Sequence, residues 1–541
     1  MIRVPNDTLR LAVAIAIPAI LGSAGAPIAR AQDPQVTEKI ARLEEDLESK
    51  LEHRRFEAIH QLGMMGADAR RVLPKFISYL ESSDDLTIRM YAARAAQRID
   101  PSNKKVSSLL LGILKDHDQS YALREVAAVA LGEMAEATPS LTTEIVEVLA
   151  EELGSGDQGN IVDTAIAGSL GRLGERASSA AQDIEVALAR SPFGEVQIAT
   201  FLALARVSKG QPGATPDQLV AGLDDPHLAV RATSFGQLRA MGEPAAKTAP
   251  ALVQIAQTDR PLYERVAALD CLGAIAPGDP QAIAAFIAAA STPARWLSNA
   301  GEMCLRQVKP GLSAPAVEAL LAGLTSPDEL VRRSVVRTLT RVAPGEPRTV
   351  RAMLELLGRV DARSEPIYVF FVLEALRAAG PAASAAGPRL VAMLDRGQPM
   401  YQALEPLAVE ERVGHALVVL SEIGMPPEAT APVLAEFEKR TLITLTPSIR
   451  AVGALGSRGA PAVPGLIAFL EGKRHSQSLL PFLLHAKPQL EAIRALGRIG
   501  PAAKAAIPLL TKLSGRDTRD ISNDEILESQ AARTALEEIQ G

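Results

Sequence analysis

The chain has 541 residues, more than one hydrophobic core usually serves, so several domains or a repeat array are expected. Aromatic residues make up only 3% while Ala, Leu, Val and Ile abound, which favours closely packed helices over β-sandwiches or sugar-binding platforms. The formal charge is −6; of the 57 basic and 63 acidic side chains, residues 1–31 hold three and one, which leaves −8 on the rest and argues against a non-specific nucleic-acid binder.

The first element along the chain is an address. Arg3 and Arg10 precede an uncharged apolar stretch from Leu11 to Gly25, and Ala29-Arg30-Ala31 places small residues where a signal peptidase reads them. This pattern predicts a secretory signal over 1–31, cleaved before Gln32, and an exported protein that is periplasmic or extracellular. The stretch is short for a bilayer span and contains Pro18, and no later stretch reaches 18 uninterrupted apolar residues. No membrane insertion is therefore expected after cleavage.

Residues 36–55 are dense in Glu, Lys and Arg around Ile40, Leu43, Leu47 and Leu51, as suits a helical cap with one wet face. Beyond it the chain repeats itself. Segments such as VRATSFGQLRAMG from Val230 and VRRSVVRTLTRVA from Val331 superpose on one apolar position, the anchor. It recurs as Leu62, Ala96, Leu131, Leu170, Leu204, Leu238, Leu272, Leu305, Leu339, Leu376, Leu420, Leu455, Leu496 and Leu536. The spacing runs from 33 to 44 residues and is most often 34, the mark of one supersecondary unit copied about fourteen times.

Each unit also holds a second helix, opened in many copies by a proline: Pro74, Pro139, Pro216, Pro250, Pro315, Pro388, Pro432, Pro464 and Pro508. Proline is tolerated in a first helical turn because its missing N–H would have had no partner there. Turns such as Asp-Asp-Pro at 224–226 and Ser-Pro-Asp at 326–328 then cap the next helix. Extra length collects at 396–411, a candidate bend or soft boundary, and at 472–489, a candidate insertion. Glu525, Glu528, Arg533, Glu537 and Glu538 give the last unit a polar face.

The copies IRALGRIGPAAKAAIPLL from Ile493, VRATSFGQLRAMGEPAAKTAPAL from Val230 and IRAVGALGSRGAPAVPGL from Ile449 resemble the HEAT-repeat family, in particular the bacterial subtype similar to phycobilisome-lyase repeats. The resemblance covers nearly all of residues 33–541. It implies an all-α fold, a right-handed α-solenoid (armadillo-type superhelix) of about fourteen HEAT-type helical hairpins. It also implies a structural ladder between repeats, formed by a turn Asp and a helix Arg: Asp85 with Arg89, Asp118 with Arg124, Asp225 with Arg231, Asp259 with Arg265, and Asp328 with Arg332. Elsewhere Asp163, Gln197, Ser298, Val369 and Val413 stand in the Arg column. By the same resemblance the anchor-bearing helices line a concave binding face. There the residues two before the anchor, among them His60, Arg94, Asp270, Arg337, Glu374 and Arg494, mix both signs and form no continuous basic stripe.

Templates for catalysis are missing from the sequence: no P-loop, no paired-glycine dinucleotide fingerprint, no His-Glu-x-x-His and no nucleophile elbow. None of the seven histidines precedes Glu, unlike the His-Glu pairs of the HEAT-repeat deoxyhypusine hydroxylases. No cofactor or metal is expected; Asp116-His117-Asp118 reads as a capped turn, and His475 and His485 as loop residues. Cys271 and Cys304 each precede an anchor, where other copies carry Ala, so both are expected as buried free thiols.

The run Ile367-Tyr368-Val369-Phe370-Phe371-Val372-Leu373 covers every side of a helix, so part of it faces the core and part is expected at the surface. Tyr368, Phe370 and Phe371 are the candidate partner-binding residues. The sequence reads as an exported scaffold for a protein or peptide of unknown identity. The alternative is a lyase-like enzyme, or a subunit of one, acting on a bound chromophore or cofactor.

Overall fold

The computed structural model describes residues 34–155, 160–210, 212–361, 366–402, 404–439, 441, 443–472, 487–515 and 523–541. The signal-like residues 1–31 and most of the 472–489 stretch, with His475 and His485, lie outside them.

Among the described residues there is no strand, and the chain is an all-α solenoid of HEAT-type helical hairpins. Each anchor position belongs to its own helix, from Glu52–Met65 to Asn523–Gln540, with Leu455 at the C-cap of Leu445–Ala454. Thirteen of the fourteen anchors are buried. Leu536, on Asn523–Gln540, is half-exposed.

The helices that intervene between anchor helices begin as the prolines require. Pro74, Pro139, Pro216, Pro250, Pro315, Pro388, Pro464 and Pro508 sit in the first two positions of theirs. Two kinds of corner recur between the members of hairpins. In one, a polar side chain caps the second helix: the Asn103 side chain accepts from the Val106 N–H (3.1 Å), and Asp279 from those of Gln281 (2.8 Å) and Ala282 (2.9 Å). In the other, a 3-10 turn begins at or after a glycine with positive φ: Gly66, Gly174, Gly242, Gly380, Gly456 or Gly500. A side chain there would clash with the backbone, so only glycine reverses the chain without strain. Three residues later a small buried residue, such as Ala69, Ala177 or Ala503, fills the corner.

Neighbouring anchor helices approach so closely that their backbones nearly touch. A Cβ added at Gly63 would lie 2.9 Å from the Ala95 Cα, one at Gly453 2.8 Å from the Ala495 Cα, and one at Gly236 only 1.7 Å from the Ala205 carbonyl oxygen. The small column just before the anchor also welds repeats together. Ser169 Oγ donates to the Ala128 carbonyl (3.0 Å), Cys271 Sγ to that of Phe235 (3.1 Å) and Thr338 Oγ1 to that of Leu305 (3.2 Å). Cys271 and Cys304 are buried thiols and are not joined by a disulfide.

The chain forms two compact units, one comprising residues up to Ala276 with Ala294–Ala300, the other Pro277–Pro293 with Gly301–Gly541. The 396–411 stretch lies inside the second. There Tyr401 is buried and its hydroxyl donates to the Met393 carbonyl (2.5 Å); burial pushes its pKa up to about 12. Arg396 forks onto two carboxylates, Glu410 (2.6 and 2.7 Å) and Glu436 (2.7 and 3.0 Å). Glu436 is only 2% exposed, so this guanidinium compensates its burial. Earlier in the same unit, Ile367–Ala392 is long and apolar enough, by length and composition, to cross a membrane. In the fold it is broken at Gly380 (φ +57°) into a helix, a 3-10 turn and a short second helix, that is, a hairpin corner.

Two substitutions test this packing. Gly236→Ala should lower stability by about 1–3 kcal/mol because the methyl meets a carbonyl, whereas Gly112→Ala, which meets nothing within 4 Å, should raise it by about 0.5–1 kcal/mol; urea unfolding followed by far-ultraviolet circular dichroism reads both signs. Arg396→Ala strands Glu436 beside Lys439 alone and should cost about 3 kcal/mol, with Arg396→Lys recovering only part because an ammonium cannot fork onto both carboxylates.

Candidate functional site

The ladder residues are joined through the main chain. The Asp85 carboxylate accepts the Thr87 (2.9 Å) and Ile88 (3.2 Å) N–H groups, and Asp328 that of Leu330 (2.8 Å), so these aspartates are helix N-caps. The arginines close over turn carbonyls. Arg231 donates to those of Asp225 (2.8 Å) and Pro226 (3.1 Å), Arg332 to Ser326 (2.7 Å) and Pro327 (2.9 Å), Arg124 to Leu114 (2.8 Å) and Arg265 to Ala256 (3.1 Å). Arg89 reaches Gln119 of the next repeat (2.9 Å).

The carboxylates the arginines meet come from other positions. Arg231 pairs with Glu264 (2.9 Å), which is 1% exposed and also receives Arg260 (3.1 Å), and Arg124 meets Glu152 (3.2 Å). The Asp225 carboxylate accepts from the His227 N–H (2.8 Å), and this bond holds its pKa below the usual range. Asp118 and Asp259 are exposed; Asp116 organises the first of these turns by accepting from Asp118 N–H and Gln119. His117 lies against Glu152 (3.1 Å). The physical reason for the arrangement is simple: a repeat turn leaves several carbonyls without helical partners, and a planar five-donor guanidinium serves two of them at once.

Charges on the face of the anchor helices are largely paired with each other. In the first unit Glu133 lies between Arg94 (3.6 Å) and Arg172 (3.3 Å), and Asp270 between Arg206 (3.7 Å) and Arg239 (2.7 Å). The edge where the anchor helices begin is different, because large apolar side chains stay exposed there: Leu86, Tyr121, Ile161, Phe193 and Val230 in the first unit, and Leu330, Ile367 and Leu407 in the second.

The aromatic run occupies the helix Pro366–Ala379 of the second unit. Val369, Val372 and Leu373 enter the core, Ile367 is 41% exposed, and Tyr368, Phe370 and Phe371 are half-buried. Each ring is held. The Arg332 guanidinium lies over Tyr368 (5.7 Å) and that of Arg337 over Phe371 (5.2 Å). Phe370 makes edge contacts with Phe371 (5.4 Å) and with His415 of the next anchor helix (5.0 Å). Burial lowers the pKa of His415, against the opposing pull of Glu374 and Glu411.

Starting from the next repeat, a cleft of 390 Å³ opens between three consecutive anchor helices, lined by Ser421, Glu422, Arg450, Ala454, Glu491, Arg494 and Arg498. Glu491 is buried, binds Arg494 at 2.9 Å and lies 3.5 Å from Arg450, which is 3.9 Å from Glu422. Arg498 has no acidic side chain within 4 Å among the described residues.

The sequence singles out Tyr368, Phe370 and Phe371 as candidates, but neither their neighbours nor this cleft. A usable signal stands five residues before the anchor. That column is small in the central copies, with Ala165, Ala199, Thr233, Ala267, Ala300 and Ser334, but Phe371, His415, Arg450 and Glu491 in four consecutive later ones. Bulk and charge replacing small residues in one column of stacked helices mark a continuous row of side chains with a use beyond packing.

No family model matches the chain, and no curated protein matches it. Solved structures do. One is Kap95p bound to RanGDP, with 14% identity and a TM-score of 0.46 over 93% of this chain and 66% of that one. A second is Kap95 with Nup1, at 12% identity and 0.46 over 93% and 77%. A third is a Kap121p mutant, at 14% and 0.41 over 94% of this chain, which spans 57% of that protein.

The His415 environment fixes a sign for pH dependence. Its folded pKa lies below the ordinary 6.5, so on acidification the unfolded chain takes up this proton first. The His415 contribution to stability is full above about pH 7, falls as the pH drops through 6.5, and stops falling below the folded pKa. Urea midpoints measured between pH 7.5 and 5 should therefore drop less steeply in His415→Gln than in the parent; an equal or steeper drop contradicts this environment.

Proposed function

We propose that this protein is an exported, non-catalytic scaffold that grips a protein or peptide partner along the anchor-helix face, with Tyr368, Phe370 and Phe371 as the principal anchor of the interface. The copies quoted from Val230, Ile449 and Ile493 support a place near the phycobilisome-lyase-like HEAT repeats, and residues 1–31 support export. The observation that carries the reading is the half-buried aromatic cluster. In a chain with only 3% aromatics, three rings gather on one helix and are steadied by Arg332, Arg337 and His415.

Rings held by neighbours lose little conformational freedom when a partner covers them, which is how a few aromatic residues come to dominate an interface. The acidic balance disfavours nucleic acid, and around Glu133 and Asp270 the arginines are already paired with carboxylates.

Cross-linking in the producing cell, followed by mass spectrometry, identifies the partner. Purified Phe370→Ala/Phe371→Ala protein should then bind it at least about tenfold more weakly. The rings are only half-buried, so the same change should cost about 1–2 kcal/mol of stability and leave the fold intact. Unchanged binding by a folded variant would show that the rings serve packing alone.

A further inference from the structure

The row of large side chains five residues before the anchor runs without interruption from the aromatic cluster into the polar cleft: Phe371, His415, Arg450, Glu491. The geometry points to a second subsite in that cleft, which takes a carboxylate of the same partner segment that the aromatic cluster holds. This rests on the partner-binding reading and gives the partner a chemistry.

The cleft supplies three guanidinium groups and two carboxylates, a surplus of one positive charge in a space large enough for a side chain and its waters. The two carboxylates are already engaged. Glu491 is buried and holds Arg494 at 2.9 Å, with Arg450 at 3.5 Å, while Glu422 lies 3.9 Å from Arg450. Arg450 is thus loosely paired on both sides, and Arg498, at the cleft wall, meets no acidic side chain within 4 Å among the described residues. A planar, doubly accepting anion completes such a set, and it fits the forked donors of Arg498 and Arg494. Glu491, acceptor-only when ionised, fixes the guanidinium groups beside it and repels any ligand that places its charge too deep.

Spacing then follows from the stack. Anchor helices in contact lie about 8–10 Å apart, and the cleft begins one repeat beyond Phe371 and extends into the third, which carries Arg494 and Arg498. The interval is about 20–30 Å, which an extended chain crosses in roughly six to nine residues. The partner segment therefore carries an apolar or aromatic residue and, about six to nine residues from it, an Asp, a Glu or its own C-terminal carboxylate.

Panning a phage-displayed random dodecapeptide library on the full chain tests this, with resynthesised peptides measured by fluorescence polarisation. The expected winners pair a large apolar residue with an acid at that spacing. Their affinity should fall about tenfold or more when the acid becomes its amide, and likewise in Arg498→Glu, a change that breaks no ion pair within the fold. Arg494→Gln/Arg498→Gln should do the same. Peptides without acids that bind the parent and Arg498→Glu equally would overturn the carboxylate subsite while leaving peptide binding intact. Failure to enrich any peptide would overturn both. Binding of inorganic phosphate alone, with no preference for acidic peptides, would also overturn the subsite.

Discussion

The structure depends on the near-contact of backbones between successive anchor helices. Gly63 against Ala95 and Gly236 against Ala205 in the first unit, and Gly453 against Ala495 and Gly497 against Ala535 in the second, leave no room for slippage. Such contact fixes the rotation of each helix about its axis as well as its distance from the next. Equivalent positions of successive repeats are then brought into columns. A column of small residues becomes the seam, and a column five residues before the anchor becomes a surface row. The solenoid's capacity to present Phe371, His415, Arg450 and Glu491 side by side is a consequence of where it can afford glycine and alanine.

Much of this architecture is legible from residue types. The anchor period, the helix-opening prolines and the small column with its two cysteines all follow from sterics that hold in any helical stack. Other features depend on partners far along the chain. The 3-10 geometry of the Gly-x-x-small corners depends on a glycine that takes a positive φ. The HEAT resemblance implies that the turn aspartates and helix arginines form a ladder between repeats. Their bonds go to main-chain N–H and carbonyl groups, however, because those groups are what a turn leaves unsatisfied. Likewise the stretch at 396–411 reads as loose from its Pro, Gly and Gln content, and is fastened by Arg396 to Glu410 and Glu436, 14 and 40 residues away. The 1–31 segment lies outside the described residues, and export stands as a proposal.

At the candidate site the same division holds. Aromatic content alone singles out Tyr368, Phe370 and Phe371, whereas the guanidinium groups over two of the rings and the imidazole at Phe370's edge come from neighbouring repeats. Their effect is energetic as well as geometric: rings already immobilised and partly dehydrated bind with less entropic loss. In the first unit the charges around Glu133 and Asp270 neutralise one another, whereas the second unit carries the aromatic cluster and the cleft lined by Arg450, Arg494 and Arg498.

The central claim is that partners are held by the anchor-helix face. A scan with a photo-activated cross-linking amino acid, placed singly at exposed positions of the anchor helices and of the intervening helices, tests it most directly in the producing cell. Partner adducts are predicted from anchor-helix positions around residues 367–374 and 494–498, with little from the intervening helices. Adducts arising mainly from the intervening helices would contradict the account.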